Sequence, residues 1–191
     1  MKKSTKAIHA GTPHNSRYGE VSIPIYQSST FSFPSAEDGA ARFSGSQPGY
    51  IYTRMGNPTV SALEENVAAL ENGYKAMATA TGMAAISTVF LALLAKGSHI
   101  VCGDCVYGPT RVVLETAFAK FGVESSFVDT ANVENIKSAL RPNTKIVFLE
   151  TPANPTMKIS DIAGGARIAR QHGAVFVVDN TFASPFLQRP F

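Results

Sequence analysis

The sequence predicts a doubly wound α/β domain built on a mostly parallel sheet, and three observations carry that reading. Apolar runs alternate with segments of helical periodicity about five times in the stretch from "KAMATA" to "AVFVVDN". Runs such as "HIVCG" and "AVFVV" are continuously apolar rather than alternating, the pattern of parallel strands covered on both faces. Small, polar and aromatic residues follow each run, as expected where a ligand sits beyond the carboxyl ends of such a sheet.

The elements follow in order. The first 57 residues show little periodicity and read as an extended N-terminal arm (1–57), with a short helix at Ala36–Phe43. "IPIYQSSTFSF" is extended, but Pro24 and its Ser-rich surroundings argue against a central strand. Tyr26, Phe31, Phe33, Tyr50 and Tyr52 crowd this arm and need a surface to pack on, which a second subunit could supply. The remainder, 58–191, reads as the sheet domain. Asn57 can cap a helix, Pro58 suits its first turn, and Leu63, Val67 and Leu70 recur at helical spacing up to Gly73. "KAMATA" is expected as a strand, and Thr81-Gly82 opens a helix to about Ala95. Then come strand "HIVCG", helix Pro109–Lys120, strand "ESSFVD", helix Val133–Leu140, strand "TKIVFLE", helix Ile162–Gln171 stopped at Gly173, and strand "AVFVVDN".

Composition excludes several classes. At 45% hydrophobic and 16% charged residues, the chain can bury a core and is not disordered. The net charge of +3 comes from scattered residues with no basic stripe, so no nucleic-acid partner is expected. The N-terminal MKKSTKAIHAG lacks the apolar core of a signal peptide. The longest apolar stretch, Met83 to Ala95, is too short to span a bilayer. A soluble, cytoplasmic protein is the expectation. Cys102 and Cys105 are spaced as a redox pair or half a zinc site, or are two ordinary thiols. No second such pair exists, and His9, His14, His99 and His172 fall in no ligand spacing, so no metal is expected.

Four places at the strand ends bear on chemistry. Thr81-Gly82 either forms a plain tight turn or lets backbone N–H groups at a helix start approach an anion. Asp179 closes an apolar strand, and a carboxylate there must be compensated. It is either a cap or salt-bridge partner, or the holder of a cation such as a protonated ring nitrogen. Tyr107 is either a core aromatic with its hydroxyl at the rim or a ring that stacks on a flat ligand. Asn154, in "PANP", either serves the turn or offers its amide to a phenolic oxygen. Neither a G-x-G-x-x-G fingerprint nor a P-loop lysine is present, so a nucleotide-binding α/β domain has only fold analogy behind it.

Taken in register, "YIYTRMGNPTVSALE", "ATATGMAAI", "DCVYGPT", "LETPANPTMKI" and "VFVVDNTFASP" resemble the Cys/Met-metabolism family of pyridoxal-phosphate enzymes, over essentially the whole chain. The pattern stands nearest to the methionine γ-lyases, with cystathionine γ-lyase, cystathionine γ-synthase and O-acetylhomoserine sulfhydrylase as siblings. The resemblance implies the large domain of a fold type I enzyme with pyridoxal 5'-phosphate (PLP) as cofactor. It implies that Gly82 and Met83 bind the cofactor phosphate through backbone N–H groups, and that Tyr52 and Arg54 reach the same phosphate from a neighbouring subunit. Tyr107 would stack on the pyridine ring and assist proton transfer. Asp179 would pair with the protonated ring nitrogen, Asn154 would bond the 3-oxygen, and Thr181 would lie beside the cofactor. The implied reaction is γ-elimination on methionine-, homocysteine- or cystathionine-type substrates, or γ-replacement on an activated homoserine, by a homo-oligomer.

Two departures from the family pattern stand out. The Schiff-base lysine follows the "DNT" aspartate in the family, and none of the nine lysines here stands in such a context. Lys145 and Lys158 read as solvated surface lysines. The family's C-terminal domain, with its carboxylate-gripping arginine, has no counterpart either. The expectation is therefore the N-terminal half of a family member, inactive alone; the alternative to an enzyme is a catalytically silent fragment that binds PLP weakly through Asp179 and Gly82 or serves as an assembly partner for full-length subunits. The other departure is Pro109, where methionine γ-lyases usually carry cysteine directly after Tyr-Gly.

Overall fold

A computed structural model describes residues 2–12 and 18–191. His14 lies outside the described residues. The chain divides into two compact units, Met1–Ala78 with Phe191, and Thr79–Pro190.

The N-terminal unit holds α1 (Lys3–His9), α2 (Ala36–Phe43) and α3 (Pro58–Glu71). Ser35 caps α2 by accepting the Asp38 N–H at 3.1 Å, and Asn57 caps α3 by accepting the Thr59 N–H at 2.9 Å, with Pro58 in the first turn. The left-handed residue that closes α3 is Asn72 (φ 57°), one position before the expected Gly73. Helix α1 was not expected, because its seven residues carry no apolar stripe. Tertiary bonds hold it: Asn66 Nδ2 on α3 donates to the Ala10 carbonyl at 2.8 Å, and Lys6 Nζ donates to Ala69 O at 3.0 Å. Gly11 permits this approach, since a Cβ there would fall 2.2 Å from Ala62 O on a backbone at φ +77°.

The second unit is a four-stranded parallel sheet: β1 (His99–Gly103), β2 (Glu124–Val128), β3 (Thr144–Glu150) and β4 (Val175–Asp179), in the order β2-β1-β3-β4. Side chains alternate between two cores. Ile100, Cys102, Ile146 and Phe148 face Phe90 of α4 (Gly82–Leu93), and Leu114 and Phe118 beyond α5 (Gly108–Val113). Val101 and Val147 face Ile136 of α6 (Val133–Ala139) and Ala169 of α7 (Ile162–His172). Helices on both faces make the fold doubly wound, as the continuous apolar runs require.

Gly165 lets α7 seat closely, since a Cβ there would lie 2.8 Å from the Phe176 ring. The helix expected over Pro109–Lys120 forms but widens into a π turn at Leu114–Phe118. Thr116 Oγ1 there donates to the Val112 carbonyl at 2.7 Å, a side-chain bond that competes with the helix ladder. "KAMATA" is not a strand. It has no ladder partner among the described residues, and extended backbone becomes sheet only by pairing.

The chain runs from β1 outward to β2, then returns to the opposite side of β1 as β3. The order therefore reverses between β1 and β3, and a crevice opens there at the carboxyl ends.

Candidate active site

That crevice is a cavity of about 290 Å³, at the small end of the roughly 300–1,000 Å³ typical of small-molecule sites. Thr81, Gly82, Met83, Ile86, Tyr107, Glu150, Asn154, Asp179, Thr181 and Phe182 line it. Six expected residues, Gly82, Met83, Tyr107, Asn154, Asp179 and Thr181, thus meet in one place, brought there by the carboxyl ends of β1, β3 and β4 and by the start of α4.

Helix α4 brings its start to the cavity. Thr81 Oγ1 accepts the Ala84 N–H at 3.0 Å and the Thr81 carbonyl accepts that of Ala85 at 3.1 Å. The N–H groups of Gly82 and Met83 have no acceptor among the described residues, as expected in a first helical turn. A Cβ added to Gly82 would meet nothing within 4 Å. This corner offers two free donors and the positive end of a helix dipole.

Asp179 ends β4, half-buried, and no ion pair among the described residues involves it. Its Oδ1 accepts from Thr181 N at 3.1 Å and from Thr181 Oγ1 at 2.5 Å. The carboxylate therefore does tie down the turn that follows it, the local role open to it, and it still presents a charge to the cavity without a cationic partner.

Tyr107 precedes α5 and is 45% exposed, so its ring is not core. Pro109 occupies the first turn of α5, where a missing N–H costs nothing. Asn154 sits between Pro152 and Pro155 in a loop closed by Ala153 N–H to Lys158 O at 3.0 Å.

Sequence reasoning missed Glu150. It ends β3 as Asp179 ends β4, and the two are register partners on neighbouring strands. It is 6% exposed. Its Oε2 accepts the Tyr107 N–H at 2.5 Å and its Oε1 accepts the Asn154 N–H at 2.8 Å. The signal that singles out Asp179, an acid closing an apolar run, is present in "TKIVFLE" as well. Gln188 was also missed: its Nε2 donates to Thr151 O and Asn180 Oδ1, both at 2.6 Å, and pins the loop after β4.

Tyr52 and Arg54 are not among the lining residues. They belong to the N-terminal unit, where the Arg54 guanidinium lies 5.0 Å from the Tyr52 ring centre beside a groove of about 390 Å³. No lysine lines the cavity. Lys145 is exposed. Lys158 is partly exposed at the surface and is paired there: its Nζ lies 2.9 Å from Asp129 and 3.5 Å from Asp104, and these carboxylates raise its pKa. Cys102 is fully buried in the core, and burial pushes its thiol well above the usual range, which removes it as a nucleophile.

The described residues contain no group of three or more His, Cys, Asp and Glu placed to hold a metal. Among them no helix is long and apolar enough to cross a membrane.

The family described as Cys/Met metabolism PLP-dependent enzyme matches residues 4–191. The chain belongs to this family. Relatives agree: an L-methionine gamma-lyase of Treponema denticola is 49% identical over 189 residues, covering 98% of this chain and 47% of that protein. The crystal structure of metB from Corynebacterium glutamicum superposes with a TM-score of 0.92 at 44% identity, covering 100% of this chain and 48% of that one. A putative O-acetylhomoserine (thiol)-lyase from Campylobacter jejuni superposes at 0.94 with 32% identity, covering 100% and 46%, and carries N'-pyridoxyl-lysine-5'-monophosphate. This PLP-dependent family has the doubly wound fold of fold type I enzymes, and the chain spans about half the length of the relatives it matches.

Proposed function

We propose that the cavity binds PLP and that the protein acts on the γ-substituent of sulfur-containing or activated amino acids, with γ-elimination as its principal reaction. The observation that carries this reading is the convergence, at one sheet edge, of two free helix-start amides and a carboxylate with no cationic partner. Such a donor set suits a molecule that is anionic at one end and a cationic heterocycle at the other. An exposed aromatic ring, Tyr107, completes the match to a flat ligand.

PLP, when bound, supplies an electron sink for carbanion chemistry. The protein's contribution is binding and orientation. The Gly82 and Met83 N–H groups hold the phosphate. Asp179 holds a proton at the ring nitrogen, and a hydrogen bond of this charged kind contributes about 1.5–3 kcal/mol. The Asn154 amide faces the 3-oxygen, and Thr181 keeps Asp179 in place. Tyr107 stacks on the ring and holds a proton for the departing γ-group. Tyr52 and Arg54 are assigned to the phosphate of a neighbouring subunit, which makes the functional form a homo-oligomer.

The test uses the protein produced from its complete gene. It should show the visible absorption of bound PLP and release an α-keto acid, ammonia and a thiol from methionine, homocysteine or cystathionine. Protein that takes up no PLP, with the cavity intact, would end this reading. A second reading, γ-replacement by a thiol, is favoured by Pro109 in place of the usual cysteine. Thioether formation from O-acetylhomoserine at a rate above elimination would select it.

A further inference from the structure

We propose that Glu150 is a positioning residue that sets the two groups flanking the cofactor ring at a fixed spacing. The inference rests on PLP occupying the cavity.

Glu150 is almost fully buried, and both carboxylate oxygens are used. One takes the N–H of Tyr107 from the β1–α5 loop. The other takes the N–H of Asn154 from the β3–α7 loop. These loops follow neighbouring strands, but the β1–β3 ladder ends at Cys102 and Phe148, and no backbone hydrogen bond among the described residues joins the loops beyond it. A single carboxylate replaces the missing ladder. It fixes the backbone of the residue whose ring stacks and of the residue whose amide reaches the 3-oxygen.

A carboxylate suits this position because both groups it meets are donors. A carboxamide cannot reproduce that, since its NH2 would face an N–H. Aspartate is one methylene too short to span both loops from the same Cα. The bridge forms from the protein's own backbone, so the two loops are in place before any ligand arrives, which lowers the ordering cost of binding.

The experiment compares wild type with Glu150→Gln and Glu150→Asp in the full-length protein, titrating PLP into apoprotein. Readouts are affinity, the induced circular dichroism of bound PLP, and apoprotein melting. In Glu150→Gln, PLP should bind about tenfold more weakly, with its induced dichroism reduced, while the apoprotein melts no more than about 4 °C lower. Glu150→Asp should fall between the two. Unchanged affinity and dichroism in Glu150→Gln, with wild type binding normally, would overturn the positioning role. Failure of wild type itself to bind would instead remove the cofactor reading on which it rests.

If the Gln variant does not fold, amide exchange in the wild-type apoprotein decides. The Tyr107 and Asn154 amides should exchange slowly before PLP is added and no more slowly afterwards. Fast exchange of either one in the apoprotein overturns the proposal.

Discussion

At the amino ends of the sheet, His99 begins β1 fully buried, and both of its ring nitrogens are engaged. Nδ1 meets Thr144 Oγ1 at 2.8 Å and Nε2 meets Ser126 Oγ at 2.9 Å. Burial lowers its pKa, the Arg141 guanidinium lowers it further, and Glu124 opposes both. At the carboxyl ends, barely five residues along the strands, Asp179 faces a cavity without a cation and the Gly82 and Met83 amides have no acceptor. One end is closed on itself and serves stability. The other leaves two amide donors and a carboxylate without a cationic partner at the wall of a cavity, and a sheet edge that departs from full pairing in this way is where a ligand belongs.

The comparison can be broken at its closed end first. His99→Ala should destabilise by about 3 kcal/mol, because it removes a buried hydrogen bond from each of the Thr144 and Ser126 hydroxyls, leaving them only their bonds from Arg141, and opens a void. Urea unfolding measures this, and PLP affinity of the folded variant should not change. A pH series sharpens the point. His99 titrates lower in the folded than in the unfolded chain, so its contribution is present above the unfolded value near 6.5 and is lost as pH falls below it. His99→Gln should flatten that acid-side decline.

Asp179→Asn acts at the open end and should do the reverse. PLP-dependent turnover should fall about 10- to 100-fold, with apoprotein stability unchanged or slightly higher, as measured by steady-state kinetics beside urea unfolding. If stability falls while turnover holds, the contrast between the two ends is wrong.

Gly165→Ala tests the packing that supports both ends. Its Cβ would press on the Phe176 ring at 2.8 Å, costing about 1–3 kcal/mol in a thermal melt. Gly82→Ala should show the smallest stability effect, a gain of up to about 1 kcal/mol from helix propensity, because nothing lies within 4 Å of its added methyl. Isothermal titration should nonetheless show weaker PLP binding, since the methyl enters the space lined by the free amides.

The fold was legible in sequence where local chemistry decides it. The apolar runs at 99–103, 144–150 and 175–179 and the helix starts at Asn57 and Thr81 each declare an element within a few residues. "KAMATA" misled because its composition suits a strand while strand identity depends on a partner elsewhere. Helix α1 was invisible because bonds from Asn66 and Lys6, about 60 positions apart in sequence, hold it. In the site, Asp179 and Thr81-Gly82 announced themselves by position. Glu150 showed the same sign and was passed over, since its meaning lies in two loop amides that only folding brings to it.

The sequence by itself determined the doubly wound class, the order of strands and helices from β1 to β4, and six of the residues that gather at the carboxyl edge. Periodicity, capping and strand-end polarity are local and survive without three-dimensional information. Only the tertiary structure decided the strand order β2-β1-β3-β4, the bridge from Glu150 to Tyr107 and Asn154, the pairing of Lys158, and the absence of a cation beside Asp179 among the described residues. Each of these depends on which distant groups come within about 3 Å, the reach of a hydrogen bond, and no local pattern encodes that distance.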